Sequence, residues 1–204
     1  MRVLVACECS GVVRRAWREA GHEAWSCDIL PAEDGSPFHI QDDVRNWLRA
    51  DWDLMVAHPP CTRLTNAGSR WLIEPPKGFT LEEMWANLRE GADCYRTLRD
   101  APIPRKAIEN PIMHKHARAL ILPAPRQVLQ PWHHGDKAFK AIGLELINLP
   151  PLRDTNRLIP PEPGTQEHKE WSWVHRAPPG PTRAKDRSRF FPGVAAAMAA
   201  QCGQ

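Results

Sequence analysis

Arg2-Val3-Leu4-Val5-Ala6-Cys7-Glu8-Cys9-Ser10-Gly11 opens the chain with a strand that runs into a turn of small and polar residues. Val12, Val13, Ala16, Trp17 and Ala20 then share one face of a helix, and Gly21 ends it. Ala24 to Cys27 reads as a second strand, closing on Asp28. A strand, a crossover helix and a second strand make a βαβ unit, and so predict a parallel sheet. A small-residue loop after the first strand and an acid after the second suit a nucleoside cofactor. Amides at the helix N-terminus face the ligand, and the acid accepts hydrogen bonds from ribose hydroxyls. The loop has one glycine where the dinucleotide fingerprint has three. That disfavours a pyrophosphate, and with it a dinucleotide-dependent oxidoreductase; a nucleoside with an uncharged tail fits better.

The same pattern returns further along. Trp52-Asp53-Leu54-Met55-Val56-Ala57-His58-Pro59-Pro60-Cys61-Thr62 holds a short apolar run bounded by a breaker, as expected of a parallel strand covered on both faces. Pro59 and Pro60 fix two φ angles and push His58 out of the α region, so a stiff turn presents Cys61. Lys106-Ala107-Ile108 is a further strand, ending in Glu109-Asn110-Pro111. Consecutive parallel strands usually lie side by side, so Cys61 and Glu109 are expected to face one pocket. Ahead of these, the loop-like stretch from Pro31 to Asp43 ends in a short third strand near His39, followed by a small helix from Val44 to Leu48. Asp42 and Asp43 read either as solvated charges or as partners for an adenine amino group. Thr80 opens a capping box with Glu83, and Leu81, Met84, Trp85, Leu88, Ala92, Tyr95 and Leu98 form the core face of a long helix.

In the second half, Gln127 to Gln130 and Ala141 to Leu149 read as strands. Prolines dominate from Pro150 to about Pro181, which predicts an irregular surface segment. Trp132, Trp171 and Trp173 sit in Pro-rich or polar surroundings, as loop packing or as base-stacking platforms. Arg183, Lys185, Arg187 and Arg189 follow Arg176 with only Asp186 in opposition, and are the best phosphate-contacting candidates. Pro192-Gly193 starts a terminal Ala-rich helix, Val194 to Gln201. The expected division is a core over 1–149, a Pro-rich irregular segment over 150–186, and a C-terminal helix over 187–204 that packs back on the core.

The 204 residues, 42% hydrophobic and 25% charged, suit one soluble α/β domain with a modest appendage. A net charge of +3 confines any nucleic-acid contact to a local patch. No apolar run is long enough to span a bilayer and the N-terminus enters a strand directly, so the expected location is the cytoplasm, away from membranes. The six cysteines are scattered singly and read as free thiols. Cys7 and Cys9 with His22 lack a second ligand pair, so no metal site is expected.

A nucleoside cofactor, a loop cysteine and a carboxyl group in one pocket suit nucleophilic catalysis on an electron-poor ring. Pyrimidine carbon 5 becomes nucleophilic once a thiolate adds at carbon 6, and the resulting enamine can attack a methyl sulfonium. A carboxyl at the ring nitrogen stabilises the charge that develops. The residues carrying this chemistry resemble those of the C5-cytosine DNA methyltransferases. Pro59-Pro60-Cys61 is similar to their Pro-Cys motif and Glu109-Asn110-Pro111 to their Glu-Asn-Val motif, in the same order and each after a strand. The likeness is to small phage- and prophage-type members and extends over most of the chain.

The resemblance implies a Rossmann-like, S-adenosylmethionine-dependent methyltransferase fold of class α/β: a mostly parallel twisted sheet with helices on both faces. By it, Cys61 is the nucleophile, and Glu109 contacts ring nitrogen 3 and the exocyclic amino group. Ala6, Cys7, Glu8, Cys9, Ser10 and Gly11 stand at the S-adenosylmethionine loop, Asp28 and Ile29 at the ribose contact, Asp43 at the adenine contact, with Pro59 and Val194 also on the cofactor side. Pro60, Asn110, Pro111, Arg183, Lys185, Arg187 and Arg189 fall on the substrate side. The implied partner is DNA, through a cytosine that is flipped out or already single-stranded. The usual Asp-x-Phe-x-Gly-x-Gly loop is reduced here to Cys7 through Gly11. Lys137 and Lys140 after Gln130 are weak stand-ins for a Gln-x-Arg-x-Arg motif, and only the Pro-rich segment occupies the place of a large recognition domain. Alternatives are the same thiolate chemistry on RNA or a free pyrimidine nucleotide, a modified sulfonium donor, or a non-catalytic nucleic-acid-binding module.

Overall fold

Arg2–Ala6 forms β1, and its alternation separates the two sides of the core. Val3 and Val5 face one side with Leu54 and Val56, while Leu4 and Ala6 face the other with Met55 and Ala57. The computed structural model describes residues 1–110, 112–121, 126–180 and 182–204. After β1 come α1 (Val12–Glu19), β2 (Glu23–Asp28), β3 (His39–Gln41), β4 (Leu54–Ala57) and α2 (Asn66–Ser69). These are followed by α3 (Leu81–Arg99), β5 (Arg105–Asn110), α4 (Lys115–Ile121), β6 (Arg126–Leu129) and β7 (Ile142–Ile147). The chain ends in α5 (Gln166–Trp171), α6 (Trp173–Arg176), α7 (Arg183–Ser188) and α8 (Pro192–Cys202).

The strands make one seven-stranded sheet in the order β3-β2-β1-β4-β5-β7-β6. Pairings among β1 to β5 are parallel, and β7 runs antiparallel between β5 and β6. This is the Rossmann-like α/β class expected from the sequence, a mostly parallel sheet with helices on both faces. The order reverses direction at β1, whose neighbours are β2 and β4, so a crevice opens at the carboxyl ends of these strands. Val13 and Trp17 of α1 and Val194 and Met198 of α8 cover one face. Met84, Leu88, Ala92 and Tyr95 of α3 and Ala117 of α4 cover the other. Each such side chain removed from water contributes roughly 1.5–3 kcal/mol when large and apolar.

The capping box of α3 forms with both of its bonds: Glu83 N donates to Thr80 Oγ1 at 3.2 Å, and Thr80 N donates to Glu83 Oε2 at 2.7 Å. Leu81, assigned to the core face, is instead exposed in the first turn. The strand before Glu109 extends through Asn110, so both residues are held in the sheet. The Pro-rich stretch differs from the irregular surface expected of it. It contains α5 and α6; Leu152 and Val174 are buried in the core face that α1 and α8 also cover, and Trp171 is buried against Phe139. Trp171 is 3% exposed, which settles it as packing, whereas Trp173 is partly exposed and lies against Phe191 with ring centroids 6.2 Å apart. Trp132 carries the Arg157 guanidinium over its ring. Among the described residues no helix is long and apolar enough to cross a membrane.

Candidate active site

The parallel register between β4 and β5, with Ala57 opposite Ile108, brings His58 and Glu109 to the same edge of the sheet. His58 N donates to Ala6 O at 3.0 Å, so the turn leaves β4 still tied to β1. The His58 ring places Nδ1 3.4 Å from Glu109 Oε2, and the edge of Phe190 packs against it with centroids 4.8 Å apart. Asn110, fully buried, donates Nδ2 to Pro59 O at 3.4 Å and so joins the two strand ends. From the far side, Arg126 donates to Asn110 O at 3.3 Å.

Three buried polar atoms in this cluster have no hydrogen-bond partner among the described residues: His58 Nε2, Glu109 Oε1 and Asn110 Oδ1. A buried group left unpaired costs about 1–3 kcal/mol. Three on adjacent strand ends mark a place built to meet a polar ligand.

Cys61 follows on the turn after β4 and is partly buried. Its loop is anchored at the next residues. Leu64 N and Thr65 N both donate to Cys61 O, at 3.0 and 3.2 Å, and His114 N donates to Leu64 O at 3.0 Å. Burial pushes the Cys61 thiol above its ordinary value, and the Glu109 carboxylate pushes it further. Lys140, the backbone amide of Cys61 and Arg187 oppose that rise without overcoming it. Burial and the Glu109 carboxylate therefore hold Cys61 toward the thiol form at neutral pH. Removing the charge on Glu109 favours the thiolate.

Beside this cluster lies a cavity of about 860 Å³, within the size range of small-ligand sites. Cys7, Asp28, Ile29, Asp43 and Pro60 line it, together with Arg89, Glu90 and Cys94 of α3. Asp28 Oδ1 accepts from Leu30 N at 2.9 Å, which holds the carboxylate at the end of β2. Ile29 is 71% exposed and offers an apolar face at the rim. Asp43 caps the short 3-10 turn Val44–Asn46, accepting from Arg45 N at 2.9 Å, and the Arg45 side chain beside it holds its carboxyl down at about 2. Asp42 accepts from Trp47 Nε1 at 2.9 Å, so both acids after β3 are engaged by the short turn that follows.

The turn after β1 departs from a simple anion cradle. Glu8 accepts from Val13 N at 2.7 Å and Arg14 N at 3.2 Å, so its own carboxylate occupies the N-terminus of α1. Ser10 Oγ donates to the same carboxylate at 3.2 Å. Gly11 takes the left-handed conformation that starts α1, and Cys7 adopts it as well, with φ of 59°. A pyrophosphate finds these amides already bonded, whereas a nucleoside with a positively charged tail meets a carboxylate. The site thus combines an acid at the β2 end, an apolar rim, an acid after β3 and an acidic side chain at the β1 turn.

The remaining sequence-derived residues divide clearly. Ala6 is buried and contributes its carbonyl oxygen to His58, and Pro59 is buried behind Asn110. Cys9 lies toward Glu33, with Sγ 3.9 Å from Glu33 Oε1. Val194 lies in the apolar core against α1 and is not a wall of the cavity. Arg187 and Lys140 act on Cys61, while Lys185 and Arg189 pair with Glu33, and Arg183 donates Nε to Ala177 O at 2.7 Å. Pro111 lies outside the described residues. His22, once weighed as a metal ligand, packs its ring against Trp17. The sequence reading missed His58 and Phe190 as site residues. A histidine between an apolar strand and two prolines was the available signal.

No protein-family model matches the sequence, and no curated protein does. Among solved structures, the chain is similar to one described as a DNA modification methyltransferase encoded within a prophage of E. coli. The identity is 15% and the TM-score 0.46, over 71% of this chain and 45% of that one. The chain thus spans less than half the length of that structure, and the likeness carries no argument about activity.

Proposed function

We propose that this protein transfers a methyl group from S-adenosylmethionine to carbon 5 of cytosine in DNA, with Cys61 as the nucleophile. The observation that carries the reading is the trio of unpaired buried atoms on His58, Glu109 and Asn110 beside the half-buried Cys61. A cytosine edge offers an acceptor at ring nitrogen 3 and donors on its amino group, which are complementary to a protonated Glu109 and to Asn110 Oδ1. Cys7, Asp28, Ile29 and Asp43, which line the cavity, would hold the cofactor together with the turn that follows Cys7, and the cofactor would supply an electrophilic methyl group.

Cys61 and Glu109 work as a coupled pair. Moving one proton from the thiol to the carboxylate leaves the total charge unchanged, makes Cys61 nucleophilic and makes Glu109 a donor to ring nitrogen 3. The thiolate then forms a bond to carbon 6, and the displaced ring electrons are stabilised by the proton that Glu109 holds at nitrogen 3. The displaced ring electrons form the bond from carbon 5 to the methyl group as the proton at nitrogen 3 goes back to Glu109; the carbon 5 proton is then lost to water, its bond electrons re-form the carbon 5–carbon 6 double bond, and the carbon–sulfur pair leaves with Cys61 as thiolate. Lys140 and Arg187 favour the thiolate, as their opposition to the rise in the Cys61 pKa indicates.

The test is methyl transfer from labelled S-adenosylmethionine to DNA, RNA and free cytidine nucleotides, read by nucleoside mass spectrometry, for wild type and Cys61→Ala. The expected result is 5-methylcytosine in DNA with wild type alone. Equal transfer by both proteins sinks the mechanism, and a product only in RNA or the free nucleotide moves the acceptor.

A further inference from the structure

Lys185 of α7 and Arg189 just beyond it hold one carboxylate between them. Lys185 Nζ lies 2.9 Å from Glu33 Oε1, and Arg189 donates to Glu33 Oε2 at 2.8 Å. Glu33 sits on the loop after β2, where its amide donates to Cys9 O at 2.9 Å. The segment between the two cations turns the other way. Lys140 Nζ donates to Arg187 O at 2.9 Å, and Arg187 Nε is buried with no partner among the described residues. Phe190 follows, and its ring meets His58 at the reacting centre. The strap from Lys185 to Phe190 therefore runs from the Glu33 loop to His58, with Lys185 and Arg189 clasping a carboxylate and Arg187, held by Lys140 from the loop before β7, turned the other way.

Two oxygens of one anion, each met by its own cation, is also the geometry of a backbone phosphate between a lysine and an arginine. Both cations are more than half exposed at their side chains, so the ion pairs are weak and exchange readily with a competing anion.

We propose that Glu33 is an internal stand-in for a phosphate: Lys185 and Arg189 hold it in the free protein and release it to a phosphate of a single DNA strand, while Arg187 and Lys140 take the neighbouring phosphate beside Cys61. This rests on the nucleic-acid acceptor of the proposed function but not on methyl transfer itself. Glu33 thereby weakens binding to any strand that cannot reach both sets of cations at once, which restrains non-specific attachment.

The test is fluorescence anisotropy of a labelled single-stranded oligonucleotide against the full chain across a range of salt concentrations. Glu33→Gln is expected to bind several-fold tighter than wild type. Its affinity should also fall more steeply with salt, by about 0.7 in the logarithmic slope per phosphate that the freed cations neutralise. Lys185→Gln combined with Arg189→Gln is expected to bind more weakly, with a shallower slope. Unchanged or weaker binding by Glu33→Gln overturns the proposal, since a carboxylate that only staples the strap would give that result. Circular dichroism checks folding. If Glu33→Gln does not fold, Glu33→Asp keeps the charge but is too short to bridge both cations, and no gain in its affinity overturns the proposal equally. Failure of all variants to bind the oligonucleotide overturns it too. Tighter binding by Glu33→Gln without any methyl transfer by wild type would reject the proposed function and leave this inference standing.

Discussion

The Glu109 carboxylate makes the charged form of Cys61 harder to reach, and that opposition can be measured. Replacing Glu109 by Gln removes the negative charge that helps raise the Cys61 thiol. Alkylation of Cys61 by iodoacetamide at pH 8 should therefore accelerate by about threefold or more, because the thiolate is the reacting species. Methyl transfer in the same variant should fall by about 10²–10⁴-fold, the usual cost of losing a general acid. An unchanged or slower alkylation rate would mean that Glu109 does not govern the thiol. Both residues were legible in the sequence, since each ends a short apolar strand and carries chemistry that a turn does not require. His58 was not. Its contact with Glu109 spans 51 positions and exists only because β5 lies beside β4. Glu8 stood out in the turn after β1, but its bonds to the amides of α1 depend on the left-handed turns at Cys7 and Gly11.

Among the elements, α1 depends most on a few polar contacts. Glu8→Ala leaves the amides of Val13 and Arg14 without their acceptor, and should lower stability by about 1–2 kcal/mol, as loss of a helix cap does. Denaturant titration measures this. On the same helix, the buried Arg14 donates to Ser26 at 2.7 Å and also pairs with Asp34 in the loop after β2. Burial pushes the Asp34 carboxyl up, but bonds from Arg14 and Arg15 outweigh it and bring the group from 3.8 down to about 2. Because the folded value lies below the unfolded one, the stabilisation is present above about pH 4 and is lost as pH falls towards 2. Asp34→Asn should thus cost on the order of 2 kcal/mol at neutral pH, with the difference from wild type closing near pH 2. A gap independent of pH would reject the assignment. The long elements were readable because α3 repeats its apolar residues at helical spacing and carries its own capping box. The short helices α4, α5 and α6 were not. Segments of four to seven residues lie well below the length at which a helix is stable alone, so tertiary packing forms them and periodicity does not announce them.

At the scale of the whole molecule, the chain's end closes onto its middle at Gly193. The Gly193 amide donates to Asp136 Oδ2 at 3.0 Å, and a Cβ here would collide with the carbonyl oxygen of His134. Gly193→Ala should lower stability by about 1–3 kcal/mol through overpacking, read as a fall in Tm that Ala195→Gly on the same helix would not reproduce by the same clash. Placing the C-terminal helix against the core was within reach of the sequence. The burial of Leu152, Trp171 and Val174 on the way there was not, since prolines hide the pattern on which such a reading depends. The antiparallel β7 has a consequence for how the site opens. Because β7 pairs with β5 on the side away from β4, the strand bearing Glu109 and Asn110 is bonded along both edges, whereas Cys61 sits on a loop held by a handful of backbone bonds. In hydrogen–deuterium exchange the amides of β5 should be among the slowest to exchange and those from Thr62 to Phe79 among the faster. Glu109 then behaves as a fixed anvil and Cys61 as the part that travels, so ligand entry would be timed by excursions of one loop and not by breathing of the sheet.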